Sequence, residues 1–260
     1  MILHSNIFGY GSFILVLHGL FGSGENWVSF AKEFSKNYQV HLLDIRNHGK
    51  SFFSRKMNYD LISEDILEYI RYYNIFNPIL IGHSMGGRAV MNFSMTHPLI
   101  PKKIVIVDIS PKAYTSTNKN KNMNIIPILK SVDFNIINTR KDLDTFLTPL
   151  IQDSGIRSFF SKSTYRKRNG KLAFRFFLLG IEKNYFSLIH QKVKDGCYKN
   201  PALFLRGEYS DYILPKDYIL IKKLFTNAKI ITVRKSKHWV HIDNPIDFYK
   251  EISYFINEKY

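Results

Sequence analysis

The 260-residue sequence predicts an α/β fold, in which a mostly parallel, twisted sheet carries helices on both faces and a helical lid is inserted into the chain. Short apolar runs alternate with amphipathic helical segments over most of the length, and this alternation is typical of parallel sheets with right-handed crossovers. Between 112 and 196 the helical spacing continues without strands. We therefore expect a core formed by 1–111 and 197–260, and a lid formed by 112–196.

The predicted strands are short, continuous and rich in β-branched residues, as expected for strands buried on both faces of a sheet. They cover residues 13–17, 40–43, 79–81, 104–107, 202–205 and 230–233.

The predicted helices have apolar residues at helical spacing. In the core they cover residues 27–34, 61–73, 88–96, 217–225 and 245–258, with Asp60 as the expected N-cap of the second. In the lid the same spacing covers residues 125–132, 143–151 and 174–179.

The sequence is strongly basic, with 37 Lys and Arg against 21 Asp and Glu and a net charge of +16. Such an excess is typical of nucleic-acid binders. The basic groups are nevertheless scattered over 119–121, 166–171, 192–194 and 234–237, in a sequence also rich in Asn, Ile, Tyr and Phe, as AT-rich codons favour. We therefore predict no nucleic-acid partner, although the charge should attract anionic partners such as acyl carriers at low salt.

Several features indicate a cytoplasmic protein without a membrane span. No run approaches the roughly 18 apolar residues of a spanning helix, and the first residues lack the order of a signal peptide. The single cysteine, Cys197, cannot form an internal disulfide, which fits a reducing compartment. Neither metal-ligand spacing nor a glycine-rich phosphate loop occurs, so no metal or cofactor is expected.

Ser84 is the predicted nucleophile. It is the serine of a G-x-S-x-G pattern that starts at Gly82 and ends at Gly86, between a predicted strand and a predicted helix. This context demands a sharp turn with strained backbone, so that the hydroxyl projects. Side chains at either glycine position would collide across that turn.

The segment HGLFG (18–22) follows the first predicted strand. Acyl transfer needs two N–H donors at the point where the carbonyl oxygen becomes an anion. We expect the amide of Met85 to be one donor and the amide of Leu20 to be the other, with Phe21 as the neighbouring candidate. His18, and His48 in a second turn, are expected to stabilise their turns.

His238 is the predicted general base, because it lies just past the last strand and follows the serine in chain order. His241 is its rival, and we expect it to anchor the loop or to face the core. His83 precedes the nucleophile, but its side chain should point away from that of Ser84.

Taken together, these motifs resemble the α/β-hydrolase superfamily and, more narrowly, the small bacterial YbfF-type esterases. The segments that carry the resemblance are HGLFGSGENW (18–27), DIRNHGKS (44–51), GHSMGGRAV (82–90), VDISP (107–111), PALFLRGEYSDYI (201–213) and KHWVHIDNP (237–245). Lys237 departs from the pattern, since many relatives have glycine there. The lid diverges too far for any residue to be carried over.

The acid that orients the histidine has two candidates. Many α/β hydrolases carry it in a G-x-x-D turn, but here that slot holds Ser210, and Asp211 comes one residue later. The alternative is Asp108, at the end of the strand that follows the nucleophile helix. YbfF-type esterases resemble this chain both in the VDI segment around Asp108 and in the later serine. We favour Asp108 and keep Asp211 as the alternative acid.

The resemblance implies a serine hydrolase that cleaves carboxylic esters or acyl thioesters of short to medium chain, including acyl-CoA, through an acyl-enzyme. A pimeloyl-carrier methyl esterase or a related C–C bond hydrolase is the alternative enzyme. The non-enzymatic alternative is a basic nucleic-acid-binding protein. Two further residues need no catalytic role: Asp44 is predicted to be architectural, and Arg88 to lie on a helix surface rather than to bind a substrate carboxylate.

Overall fold

The computed structural model describes residues 1–114 and 125–258. Its strands are β1 (Ser5–Phe8), β2 (Ser12–Leu17), β3 (Tyr38–Leu43), β4 (Ile79–His83), β5 (Lys103–Val107), β6 (Thr164–Arg166), β7 (Leu172–Phe174), β8 (Ala202–Gly207) and β9 (Ala228–Val233). One sheet has the order β1-β3-β2-β4-β5-β8-β9, and β6 pairs with β7 alone. Every pairing in the larger sheet is parallel except that of β1 with β3.

The α-helices are α1 (Val28–Phe34), α2 (Tyr59–Tyr72), α3 (Met85–Thr96), α4 (Ile125–Lys130), α5 (Arg140–Leu147), α6 (Ser154–Lys162), α7 (Leu178–His190), α8 (Tyr218–Leu224), α9 (Val240–Asp243) and α10 (Pro245–Asn257). Two apolar clusters lie on the two sides of the larger sheet: Ile62 and Phe93 belong to one, and Phe30 and Phe248 to the other. The α/β prediction is therefore confirmed. No helix within the two described ranges is long and apolar enough to cross a membrane.

Every predicted strand of the sheet is present, but the sequence does not reveal β1. This edge strand has the sequence SNIF, and its residues are half-buried or exposed. It pairs antiparallel with β3, in a register that sets Ser5 opposite Leu43. An edge strand needs no continuous apolar run, and so it leaves no clear signal in the sequence.

The intervening segment (residues 112–196) connects β5 to β8 and contains α4 to α7. Residues 115–124, with the basic group at 119–121, lie outside the described residues. The helix expected over 174–179 is wrong, because Phe174 ends β7 and α7 begins only at Leu178. Residues 172–176 (LAFRF) alternate in the manner of a strand, and β6 and β7 form a short antiparallel pair.

The start of α2 also differs from the prediction. The helix begins at Tyr59, and Asn58 rather than Asp60 is its N-cap. The Asn58 side chain accepts a hydrogen bond from the Leu61 amide at 2.8 Å. Asp60 lies within the first turn, where its negative charge interacts favourably with the positive end of the helix dipole, but it does not cap the helix.

Candidate active site

Ser84 lies on the turn between β4 and α3, with φ of 53° and ψ of −117°. Residues other than glycine rarely adopt positive φ, so the turn holds the serine in a strained backbone conformation. A Cβ at Gly82 would lie 2.3 Å from the Gly86 carbonyl oxygen, and one at Gly86 would lie 2.2 Å from the Leu17 oxygen. The predicted need for both glycines is confirmed. In this turn, which we call the elbow, a side chain at Gly82 would collide with backbone across the turn, and one at Gly86 would collide with the end of β2.

This packing predicts a large effect for Gly86→Ala. The added methyl group meets backbone that cannot move without disturbing β2, so we expect the free energy of unfolding to fall by about 2 kcal/mol or more. Urea unfolding monitored by fluorescence measures it. Gly155→Ala is the matched control, because its Cβ would meet side-chain atoms rather than backbone: the Asp153 carboxylate at 3.0 Å and a Trp239 ring carbon at 3.4 Å. Equal losses in the two variants would contradict the packing argument.

Asp108 and His238 meet at the carboxyl end of the sheet. Asp108 follows β5 with φ of 50° and is fully buried. Its Oδ2 lies 2.7 Å from His238 Nδ1 and also accepts a hydrogen bond from the Ser210 hydroxyl. Its Oδ1 accepts the Gly207 amide at 3.0 Å. Three donors thus surround this buried carboxylate and stabilise its charge.

The other acid candidate lies in the turn after β8. Asp211 is exposed, and it is its neighbour Ser210 whose side chain reaches the buried carboxylate of Asp108. Of the two predicted acids, the structure therefore brings Asp108 to His238.

Two neighbours hold the His238 loop in place. The Tyr212 ring stacks on the imidazole, with ring centroids 3.9 Å apart. The His83 ring lies among those of Trp27, His238 and His241, and its Nε2 donates to the His238 carbonyl oxygen at 2.9 Å. Burial holds the pKa of His83 well below its ordinary value, so this ring is neutral. No motif in the sequence singles out Tyr212, which lies in the segment 201–213 that resembles the YbfF-type esterases.

The rival imidazole faces the core, as expected. The His241 ring stacks on Trp27, with centroids 4.2 Å apart and planes 11° apart. Burial lowers the pKa of His241 to about 3. It therefore stays neutral as part of the packing.

Two histidines order the loop that carries Leu20, one of the two predicted oxyanion donors, and its neighbour Phe21. His18 donates from Nδ1 to the Gly19 carbonyl oxygen at 2.7 Å and accepts the Ile45 amide at Nε2. His48 accepts the Phe21 amide at Nε2, at 3.1 Å. Both rings stabilise turns, as the sequence indicated.

The hydrogen bond from the Phe21 amide to His48 bears on which amide of this loop can donate to the oxyanion. Because the Phe21 amide is engaged by His48, Leu20 is the better placed of the two candidates in this loop. A Cβ at Gly19 would lie 3.4 Å from Ser84 Cβ, so the loop lies directly against the elbow. In the described part of the chain, the amides of Leu20 and Met85 have no protein acceptor.

Aromatic side chains of the intervening segment cover this loop. Phe160 and Phe176 contact Phe21, with ring centroids 5.7 and 5.0 Å away. Phe159 contacts Trp239, beside the predicted base, at 5.5 Å. The predicted nucleophile and base therefore lie beside an apolar wall.

A family model described as alpha/beta hydrolase fold matches residues 13–245. This chain belongs to the α/β-hydrolase family. It is 33% identical to the sn-1-specific diacylglycerol lipase ABHD11 of Danio rerio, over 94% of this chain and 78% of that protein. It is 26% identical to the esterase YbfF of Escherichia coli, over 94% and 93% of the two chains.

A solved structure of a marine microorganism esterase superposes on this α/β hydrolase with a TM-score of 0.94. The two chains are 37% identical, and the match covers 98% of this chain and 99% of the other. The resemblance to YbfF-type esterases is confirmed, and the chain is a hydrolase of esterase or lipase type.

Two polar residues of this α/β hydrolase serve its architecture. Asp44 accepts the Gly24 amide at Oδ1 and the Lys50 amide at Oδ2, which ties two loops together as predicted. The prediction for Arg88 is wrong, because this residue is only 2% exposed and does not lie on the helix surface. Its guanidinium donates to main-chain carbonyl oxygens.

Buried histidines predict how stability depends on pH. Burial lowers the pKa of His41 to about 4, and that of His48 and His241 to about 3, from an ordinary value of 6.5. Below pH 6.5 the unfolded chain binds protons that the folded chain refuses, so stability falls with falling pH and is constant above it. Each histidine contributes about 1.4 kcal/mol per pH unit.

We therefore expect the free energy of unfolding to fall by up to about 4 kcal/mol per unit between pH 6 and pH 5. Urea unfolding at constant ionic strength measures this slope. A stability that does not change between pH 7.5 and pH 5 would contradict the neutral, buried state of these rings.

Proposed function

We propose that this α/β hydrolase is a serine esterase that cleaves carboxylic esters or acyl thioesters through Ser84, His238 and Asp108. The observation that carries the proposal is the 2.7 Å contact between His238 Nδ1 and Asp108 Oδ2. It fixes the ring with its proton on Nδ1, so that Nε2 is the nitrogen that accepts the proton of Ser84.

In the proposed cycle, His238 takes the hydroxyl proton as Ser84 Oγ attacks the carbonyl carbon. The amides of Leu20 and Met85 donate to the oxyanion, and each such donor typically contributes about 3 kcal/mol. His238 then returns the proton to the leaving alcohol or thiol. Water, deprotonated by the same imidazole, then attacks the acyl carbon, and the imidazolium returns the proton to Ser84 Oγ as the bond to the carboxylic acid breaks. Asp108 stabilises the imidazolium in both steps.

We further propose that the intervening segment is a lid over a core made of residues 1–111 and 197–260. Its contacts with Phe21 and Trp239 support an apolar site for a short to medium acyl chain. The net charge of +16 supports anionic substrates such as acyl-CoA or a carrier-bound acyl group.

A substrate screen tests the proposal. The protein is assayed with p-nitrophenyl esters and acyl-CoA thioesters of graded acyl length, with Ser84→Ala as the blank. We expect hydrolysis that is strongest for short to medium chains. Folded protein that hydrolyses neither class would exclude the proposal, and hydrolysis of esters alone would exclude the thioester part.

Comparing Asp108→Asn with Asp211→Asn tests the acid. The first change removes the charge that orients and stabilises the imidazolium, so we expect kcat to fall by roughly 10²- to 10⁴-fold. The second alters an exposed side chain and should change kcat by less than about twofold. Steady-state kinetics on one ester measures both. The reverse order of effects would make Asp211 the acid.

A further inference from the structure

Arg88 connects the helix that carries the nucleophile to both ends of the intervening segment. It lies one helical turn after Ser84 in α3, and its amide donates to the Ser84 carbonyl oxygen. Its Nη2 donates to the Lys112 oxygen at 2.9 Å, where the intervening segment begins. Its Nη1 donates to the Ile189 oxygen at 2.8 Å, and Nη2 also donates to the Gln191 oxygen, where α7 ends. One guanidinium thus holds both ends.

The charge of this guanidinium is compensated by carbonyl dipoles and rings, since its hydrogen-bond partners in the described residues are all main-chain oxygens. Ile189 and Gln191 lie at the negative end of the α7 dipole. The rings of Tyr59 and Tyr114 each lie 5.5 Å from its Cζ. A buried cation is costly unless it is hydrogen-bonded, so the guanidinium favours the arrangement in which these carbonyls reach Nη1 and Nη2. Its Nε has no hydrogen-bond partner among the described residues.

Neighbouring bonds extend this arrangement, which we call the Arg88 clamp. Tyr59 donates to the Leu188 oxygen at 2.9 Å, and the Lys194 amide donates to Asn92 Oδ1 of α3 at 3.1 Å. The Val193 amide also donates to the Pro111 oxygen at 3.0 Å, which joins the two ends directly.

The clamp also reaches the predicted base. The Tyr114 hydroxyl donates to the Tyr212 carbonyl oxygen at 2.7 Å, and the Tyr212 ring stacks on His238. This bond is made by the Tyr114 hydroxyl and not by the guanidinium, so the support of the imidazole should persist when Arg88 is replaced.

We propose that Arg88 is a positioning residue. It keeps the wall formed by the aromatic side chains of the intervening segment at a fixed position relative to Ser84, and thereby sets the preference for acyl-chain length. The side chains of this wall are Phe159, Phe160 and Phe176. The inference rests on the proposed esterase function. A substrate with a long chain depends on that wall, whereas an acetyl group needs only the nucleophile, the base and the oxyanion donors.

Arg88→Met and Arg88→Lys test the clamp. The assay compares p-nitrophenyl acetate with p-nitrophenyl octanoate, and active sites are counted by titration with a fluorophosphonate. For Arg88→Met we expect kcat/KM for octanoate to fall by about tenfold or more, mainly through KM, and that for acetate to change by less than about threefold. Arg88→Lys should be intermediate, because an ammonium donates to carbonyls but lacks the planar fork.

Lys103→Met is the matched control. Lys103 is also a buried cation that donates to three carbonyl oxygens near a helix C-terminus, those of Phe255, Ile256 and Glu258. It lies at the start of β5, whereas Asp108 follows the end of that strand. Its loss should lower stability and leave the ratio of octanoate to acetate activity unchanged.

Hydrogen exchange provides a readout that does not depend on activity. In the wild type, the amides of Val193 and Lys194 should be protected because both donate across the clamp, and they should exchange faster in the Arg88 variants. Fast exchange of these amides in the wild type would overturn the proposal even if no variant folds. Equal losses on both esters per active site would also overturn it.

The two proposals fail separately. If the fluorophosphonate does not label Ser84, the esterase function is wrong, while the exchange pattern still reports on the clamp. If Ser84 is labelled but the ester ratio stays constant in Arg88→Met, only the positioning role is wrong.

Discussion

Ser84→Ala is expected to lower kcat for ester hydrolysis by roughly 10⁴- to 10⁶-fold and to abolish labelling by a fluorophosphonate probe. The acyl-enzyme cannot form without the hydroxyl, and the remaining rate comes only from the oxyanion donors and substrate binding. A fluorescent probe followed by gel electrophoresis measures labelling, and steady-state kinetics measures the rate.

Stability provides an internal control for this variant. Ser84 holds positive φ in a strained turn, and alanine keeps that strain, so the unfolding midpoint should change little. Ser210→Ala is the second control. It removes the hydroxyl that donates to Asp108 but keeps Ser84, so the probe should still label the protein. Labelling of the folded Ser84→Ala protein at another residue would mean that the nucleophile has been misassigned.

His238→Ala is expected to lower kcat by about 10³-fold or more at neutral pH. Without the imidazole, no group takes the proton of Ser84, and the buried Asp108 carboxylate loses one of its three donors. The rate measured per folded protein with one short-chain ester gives the effect. It should be insensitive to acyl length, unlike the effect of Arg88→Met.

His241→Ala separates catalysis from packing. This ring stacks on Trp27 in the core, so its loss should lower stability but leave kcat per folded molecule within about threefold of the wild type. If the two histidine variants lost kcat equally, the assignment of His238 as the only general base would be untenable.

The elbow could be found in the sequence because each part of it is local. Gly82, Ser84 and Gly86 lie within one turn, and their flanking strand and helix show their own periodicity. The same reason explains why the buried strands were located, since a strand covered on both faces must be apolar throughout. Edge strand β1 and the β6–β7 pair lack that requirement and were missed.

Only the tertiary structure distinguishes the two candidate acids by their distance from His238. Asp108 and His238 are 130 residues apart, and a sequence pattern does not fix which of two carboxylates at neighbouring strand ends meets the imidazole. The φ of 50° at Asp108 and the hydroxyl of Ser210 decide the geometry. Neither is a property of a local motif.

Arg88 also shows the difference between what a local sequence pattern predicts and what tertiary packing decides. Its place after the elbow predicts an ordinary helical residue, because helix periodicity says only which face a side chain occupies. Whether that face meets water or the chain ends at 112 and 189–191 depends on how the intervening segment packs. The sequence by itself determined the fold class, the nucleophile turn and the loops at the sheet's carboxyl edge, because short-range sterics and burial dictate them. Tertiary packing alone decided which candidate carboxylate contacts His238, which ring stacks on that histidine and how deeply Arg88 is buried, because those depend on contacts between segments far apart in the chain.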